Sequence, residues 1–260
     1  MDDDALIVLR DVHKSFNGIP VLRGVSLRIR AGQTFCVIGE SGCGKTVLLK
    51  HIIGLIPPDE GQVLFDGNDL ASASAKDMVK LRMRFGMVFQ GGALFDSLTV
   101  GENVAFPLHE HAHLDEETVR RRVAEKLSLV GLAGIEDKRP AELSGGMKKR
   151  VALARAIALD PEVVLYDEPT TGLDPIMADV INELILRAHD RAKTTSIVVT
   201  HDMVSAYKVA DHIVMLNEGR IIIDGTPEEI RNTDNALVRQ FIEGQAGDRI
   251  EPSSNVGSRS

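Results

Sequence analysis

The octapeptide Gly39-Glu40-Ser41-Gly42-Cys43-Gly44-Lys45-Thr46 constrains the chain more than any other stretch. It matches G-x-x-x-x-G-K-[ST] in full and has the context that this pattern needs. The apolar run TFCVIG precedes it, and KTVLLKHIIGL follows with apolar residues at helical spacing through Val47, Leu48, Ile52 and Leu55. Glycines at these positions let successive backbone N–H groups turn inward around phosphate oxygens, and the helix N-terminus adds its positive end. Lys45 is then placed to reach the β- and γ-phosphates of a nucleotide, and the Thr46 hydroxyl to ligate Mg2+. A buried strand, a phosphate loop and a helix in that order predict an α/β chain, with Pro57-Pro58 expected to stop the helix.

The rest of the chain fits around that unit. From Ile7 to Arg30 the pattern is β-like, with a turn at Asn17-Gly18 and with Val21, Val25, Leu27 and Ile29 alternating in part with polar residues, which predicts an antiparallel sheet. GQVLFDGNDL and RFGMVFQ read as further strands and turns. Beyond Val88 the pattern becomes mostly helical. Val119, Val123, Leu127 and Val130 share one stripe between Glu116 and Val130, and a second helix is expected from about Met147 to Leu159. Strand and helix then alternate again through VVLYDE, PIMADVINELILRAHD, TSIVVTHD and VSAYKVAD to HIVMLNEGRIIIDG, which turns at Asn217-Glu218-Gly219. Thr226-Pro227-Glu228-Glu229 starts a helix, with threonine as cap and Glu229 placed for a capping box.

Bulk properties narrow the function classes. Hydrophobic residues make up 43% and charged residues 26%, which suits a globular chain and neither a disordered nor a collagen-like one. A net charge of −8 supplies no overall basic field, so nucleic acid is not an expected partner. The two cysteines, Cys36 and Cys43, lie beside and within the phosphate loop and do not resemble a disulfide framework, which points to a reducing compartment. The acidic start MDDDALIVLR is unlike a secretory or transit signal, and no run approaches the ~18 to 20 apolar residues of a spanning helix. Work at a membrane is therefore expected to go through a partner.

Several residues stand where a phosphate site needs chemistry. Asp167 ends the apolar strand of VVLYDE, where a carboxylate holds Mg2+ through its water shell, and Glu168 follows as the group to orient or deprotonate an attacking water. His201 ends a strand in the same way and is placed to donate a hydrogen bond to a γ-phosphate; Gln90 ends another, with a neutral amide that touches both metal and water. A second glycine-rich helix entrance, LSGGMKKR from Leu143 to Arg150, lacks the lysine and the metal ligand of the first. On its residues alone it reads either as a helix start capped by Ser144 or as part of an anion site.

Gly39 to Thr46, Gln90, LSGGM, VVLYDEPTTGLDP and VVTHD, in this order and spacing, resemble the ATP-binding subunits of ABC transporters over nearly the whole chain, from about Ile7 to Gly244. The resemblance implies a P-loop NTPase (RecA-like) core with an N-terminal antiparallel β subdomain and a helical, signature-bearing insertion. It divides a single ATPase unit, 1–244, into an α/β core over about 1–90 and 160–230, a helical subdomain over about 91–159, and a C-terminal helix at 231–244; residues 245–260 are expected to be disordered. It implies ATP and Mg2+ as cofactors. ATP would be bound by Phe16, stacked on adenine in place of the usual tyrosine, by Gly39, Glu40, Ser41, Gly42, Cys43, Gly44, Lys45, Thr46 and Val47, and by Gln90, Asp167 and His201. Thr46, Gln90 and Asp167 would hold the metal, and Glu168, His201, Gln90 and Lys45 would carry the hydrolysis. In this family two subunits pair head to tail, so Ser144, Gly145 and Gly146 would cap the ATP of the other copy, and Asp174 would couple the two sites.

FQGGALFDSLTVGENVAFPL, Met147 in place of the usual glutamine, and VRQFIEG are similar to the MlaF-type ATPases of Mla/MCE lipid transport systems. That branch implies phospholipid as cargo, an integral membrane permease, an MCE-type lipid-binding protein and a small regulatory subunit as partners, and a cytoplasmic place at the inner membrane, attached through the permease. Ala93, Leu94, Phe95, Leu98 and Val100 would be shared between the insertion's core and the surface that receives the permease's coupling helix. Leu237, Val238, Phe241 and Ile242 would pack on their own domain or help a tail reach the partner. An importer of an amino acid or ion, an ABC ATPase acting on ribosomes or DNA, and a phosphotransferase are the alternative readings.

Overall fold

A computed structural model describes residues 5–245 of the chain; the tail expected to be disordered lies outside them except for Gln245. The chain opens with a long hairpin, β1 (Ala5–Phe16) and β2 (Ile19–Arg30). Its two-residue turn places Asn17 and Gly18 at φ 51 and 78, the left-handed pair that matches the twist of an antiparallel ribbon. β4 (Glu60–Phe65) and β5 (Asn68–Asp69) extend it to a four-stranded antiparallel sheet ordered β2-β1-β4-β5.

The second sheet has six strands in the order β10-β9-β3-β8-β7-β6. They are β3 (Thr34–Ile38), β6 (Phe85–Val88), β7 (Val163–Asp167), β8 (Thr195–Thr200), β9 (His212–Asn217) and β10 (Arg220–Gly225). The neighbours from β9 to β6 pair in parallel and β10 joins antiparallel. β3, β7 and β8 are buried along their whole length, as parallel strands covered on both faces must be. Alternate residues feed opposite layers. Phe35 and Val37 pack with α1 (Lys45–Ile52) and the first sheet, through Leu48, Leu49, Ile7 and Phe65. Cys36 and Ile38 face the other way, toward the helices.

Those helices include the insertion between β6 and β7, namely α3 (Val100–His111), α4 (Glu116–Leu129) and α5 (Gly145–Ala156). α6 (Pro175–Ala192), α7 (Met203–Val209), α8 (Pro227–Arg231) and α9 (Ala236–Ile242) complete this side. The expected fold class holds: a parallel α/β core, an antiparallel β layer and a helical insertion.

Three local readings are corrected, and one helix had none. α1 stops at Ile52 and not at the prolines, because Gly54 takes φ 66 and the N–H groups of Gly54 and Leu55 return to the carbonyls of His51 and Lys50. α5 begins two residues before Met147, since the Ser144 hydroxyl caps it by accepting from the Met147 N–H at 3.3 Å, and it ends at Ala156. α2 (Ala75–Met83) has no buried residue, so it left no apolar stripe to read. The C-terminal helix is short, because Asn235 caps a fresh start at Ala236 after α8.

Candidate nucleotide site

Four adjacent parallel strands, β3, β8, β7 and β6, deliver the expected residues to one edge of the sheet, the carboxyl edge where open α/β sheets take ligands. β3 runs into the phosphate loop, where Gly39, Gly42 and Gly44 all carry positive φ. A side chain at Gly39 would lie 2.2 Å from the Leu216 carbonyl oxygen, so backbone alone fits there. Lys45 is buried, and its ammonium donates to the carbonyls of Gly39 (2.8 Å) and Glu40 (2.9 Å), with a Glu168 oxygen at 3.7 Å. The cation is thereby aimed across the mouth of its own loop.

β7 delivers Asp167 and Glu168. The Thr46 hydroxyl lies 3.2 Å from both Asp167 carboxylate oxygens. Burial holds the Asp167 carboxyl above its ordinary range, against the Thr46 hydrogen bond, which lowers it. A hydroxyl and a carboxylate side by side form an oxygen donor set that suits a hard cation such as Mg2+.

Glu168 is gripped on every side. Its backbone is left-handed at φ 50, and its N–H donates to the Val199 carbonyl at 2.9 Å. Its carboxylate accepts from the Thr171 hydroxyl at 3.1 Å and meets His201 Nδ1 at 2.8 Å. From α5, the buried Lys149 donates to the Glu168 carbonyl at 3.3 Å and the Pro169 carbonyl at 2.8 Å. The His201 side chain is about half exposed, leaving its other ring nitrogen free to face a ligand. Gln90 is exposed two residues beyond β6, whose Val88 pairs with Tyr166, so it reaches the same edge as Asp167.

Phe16 ends β1 at 43% exposure, a ring open for stacking, with the Lys14 ammonium 5.7 Å from its centroid. Cys43 is a free, half-buried thiol and Val47 is half-buried behind the loop. The structure does not bring every expected residue into one cluster. Ser144 and Gly145 are exposed at the start of α5, and a side chain at Gly145 would meet nothing within 4 Å. Gly146 is packed against Met177, and Asp174 caps α6 by accepting from the N–H groups of Ile176 and Met177. Among the described residues, no hydrogen bond or ion pair joins this second group to Lys45, Thr46 or Asp167.

Thr171 and Lys149 were missed by sequence reasoning. Lys149 had left a signal: it sits on the helix stripe between Gly146 and Leu153, where a solvated lysine does not belong. Thr171 lies in a polar turn and left none.

Fold and edge chemistry together define a P-loop nucleotide hydrolase. The ABC transporter family model matches residues 22–171, and the chain belongs to that family of ATP-hydrolysing, ATP-binding subunits. It is 44% identical over 222 residues, 85% of this chain and 84% of the relative, to the intermembrane phospholipid transport system ATP-binding protein MlaF of Haemophilus influenzae. It is 42% identical over 246 residues, 95% of this chain and 70% of the relative, to the probable ribonucleotide transport ATP-binding protein mkl of Mycobacterium leprae. A solved ATP-binding cassette, dimeric in a post-hydrolysis state with ADP and phosphate, superposes with a TM-score of 0.79 at 32% identity, covering 85% of this chain and 98% of that one.

Proposed function

We propose that this chain is the ATPase subunit of a phospholipid transporter and that it works as a head-to-tail homodimer beneath a membrane permease. One observation carries the dimer: a complete phosphate site and a separate, exposed, glycine-lined helix entrance occupy the same chain without touching. The N-terminus of α5 offers unpaired N–H groups to an anion that its own loop does not present. A second copy brings that anion, the γ-phosphate of ATP held by the other loop. The solved cassette of the same family is itself a dimer.

In this reading Lys45 exchanges its loop carbonyls for the β- and γ-phosphates when ATP enters. Thr46, Asp167 and the amide of Gln90 would hold Mg2+, whose chemical contribution when bound would be to neutralise phosphate charge. Glu168 accepts the proton of the attacking water, and His201, oriented by its contact with Glu168, donates to the γ-phosphate. Phe16 stacks on the base, and Asp174 couples the two sites at the subunit junction. ATP acts as a ligand that binds only the closed pair, and hydrolysis reopens it.

The permease docks at an open groove of about 440 Å³ that includes Met87, Phe89, Phe95, Phe106 and Arg155. Phe89, Phe95 and Phe106 are 39 to 43% exposed, while Val100 is fully buried and Leu94 and Leu98 are half-buried. The apolar run after Gln90 is thus divided between core and rim. Near the C-terminus Val238 is buried, Phe241 and Ile242 pack on the core, and Leu237 is 55% exposed and open to a partner. Phospholipid as cargo is supported by the likeness to MlaF, and with it come an MCE-type lipid-binding partner, a small regulatory subunit and a place on the cytoplasmic side of the inner membrane.

Glu168→Gln tests the site. It should keep ATP binding, lower hydrolysis by ~10² or more, and trap a dimer with ATP; normal turnover would remove Glu168 from its role. Cargo is tested by lipid analysis of the membrane complex purified with this chain. Bound phospholipid is expected, and bound ribonucleotide without lipid would overturn it.

A further inference from the structure

Lys149 stands on the helix that carries the second glycine entrance, three residues beyond Gly146 and so about one turn, ~5 Å, from it. The residue is 9% exposed, and its ammonium spends its hydrogen bonds on two consecutive carbonyls, those of Glu168 and Pro169. Burial lowers its pKa, opposed by the Glu168 charge. Burying a lysine this deeply is costly unless its contacts repay it. The turn that it grips needs holding, since Glu168 is a non-glycine residue at positive φ immediately before Pro169.

We infer that Lys149 is a positioning residue that transmits the state of the α5 N-terminus to Glu168 of the same chain, and thereby couples the two ATP sites of the dimer. This inference rests on the composite-site reading above. In a head-to-tail pair, the α5 entrance of one chain closes on the ATP held by its partner, while Glu168 of that chain serves the ATP held by its own loop. α5 is rigid over a single turn, so a shift of its first residues moves the Lys149 ammonium. That ammonium sets where the Glu168 backbone, and with it the carboxylate, sits. Capture of ATP at one site is thereby felt by the base at the other, through one side chain and two carbonyls.

Lys149→Met, which keeps length and loses the donor, should lower kcat by ~10-fold while leaving ATP affinity within ~2-fold, and should reduce the cooperativity of hydrolysis against ATP concentration. Lys149→Gln, whose amide still serves one carbonyl, should fall between; it also carries the test if the methionine variant does not fold. The decisive readout is a double-mutant cycle with Glu168→Gln. If Lys149 acts through Glu168, adding Lys149→Met to Glu168→Gln costs no further activity beyond ~2-fold. A full, additive ~10-fold loss in the double variant, or unchanged cooperativity in Lys149→Met, would overturn the inference. Failure of the composite-site reading shows separately, as no return of activity when Lys45→Ala and Ser144→Arg chains are mixed.

Discussion

Gly39 and Gly42 both sit in the left-handed half of backbone space, yet they are not equally replaceable. At Gly39 a methyl group would meet the Leu216 carbonyl oxygen at 2.2 Å, whereas at Gly42 it would meet nothing within 4 Å. Gly39→Ala should therefore lose ~2 to 5 kcal/mol of stability from combined strain and overlap, and Gly42→Ala only ~1 kcal/mol, read from urea unfolding. Burial raises the Cys43 thiol above its ordinary value, with the Lys45 charge opposing it. Because the thiolate is the reactive form, maleimide labelling near neutral pH should be slower than for a free cysteine and should climb as pH rises past about 9. Saturating ATP should protect Cys43; labelling that ignored the nucleotide would place the phosphates elsewhere. At Met147 the backbone N–H, and not the side chain, meets the Ser144 cap, while the thioether packs on the core. Met147→Gln should hold ATPase activity within ~3-fold, because the amide adds nothing that the cap requires. A larger change in kcat would show that the side chain itself tunes the subunit junction.

Elements set how these residues meet, and they also set what could be read in advance. The phosphate loop, the Asp167-Glu168 strand end and His201 were legible because each follows a buried apolar strand, and a parallel sheet brings strand ends together whatever lies between them. The two helix entrances were legible as glycine-rich starts, the second of them with Ser144 as its cap. α2 was not, since it buries no residue fully and only Met78 and Leu81 touch the core, and neither was the end of α1, where Gly54, two residues past Ile52, closes the helix before any proline. Asn103 shows the same limit. It is fully buried in α3, accepts from the Phe95 N–H, and donates to the carbonyls of Phe95, Leu98 and Thr99. Nothing in the local pattern marks it, because its partners lie in an irregular loop. Asn103→Ala should cost ~2 kcal/mol by leaving those groups unpaired, measured by denaturant unfolding. It should also weaken permease binding, since the loop it pins carries Phe95 to the groove.

For the whole molecule, no helix among the described residues is long and apolar enough to cross a membrane, and the proposed function assigns the permease contact to the groove. Arg155 fastens that groove by donating to the Gly92 and Ala93 carbonyls beneath the Phe95 ring. Phe95→Asp with Phe106→Asp should abolish co-purification with the permease while basal ATPase activity stays within ~2-fold, because neither ring touches the nucleotide edge. The central claim is that each chain supplies one half of two shared sites, and complementation tests it most directly. Lys45→Ala removes the phosphate lysine, Ser144→Arg blocks the helix entrance, and each variant alone should hydrolyse ATP ~10² more slowly than the unaltered chain. Mixed in equal amounts, they form pairs in which the intact loop of one chain faces the intact entrance of the other, and ATPase activity should reappear. Activity that stays absent in the mixture, or Ser144→Arg protein that hydrolyses ATP normally on its own, would contradict the shared site.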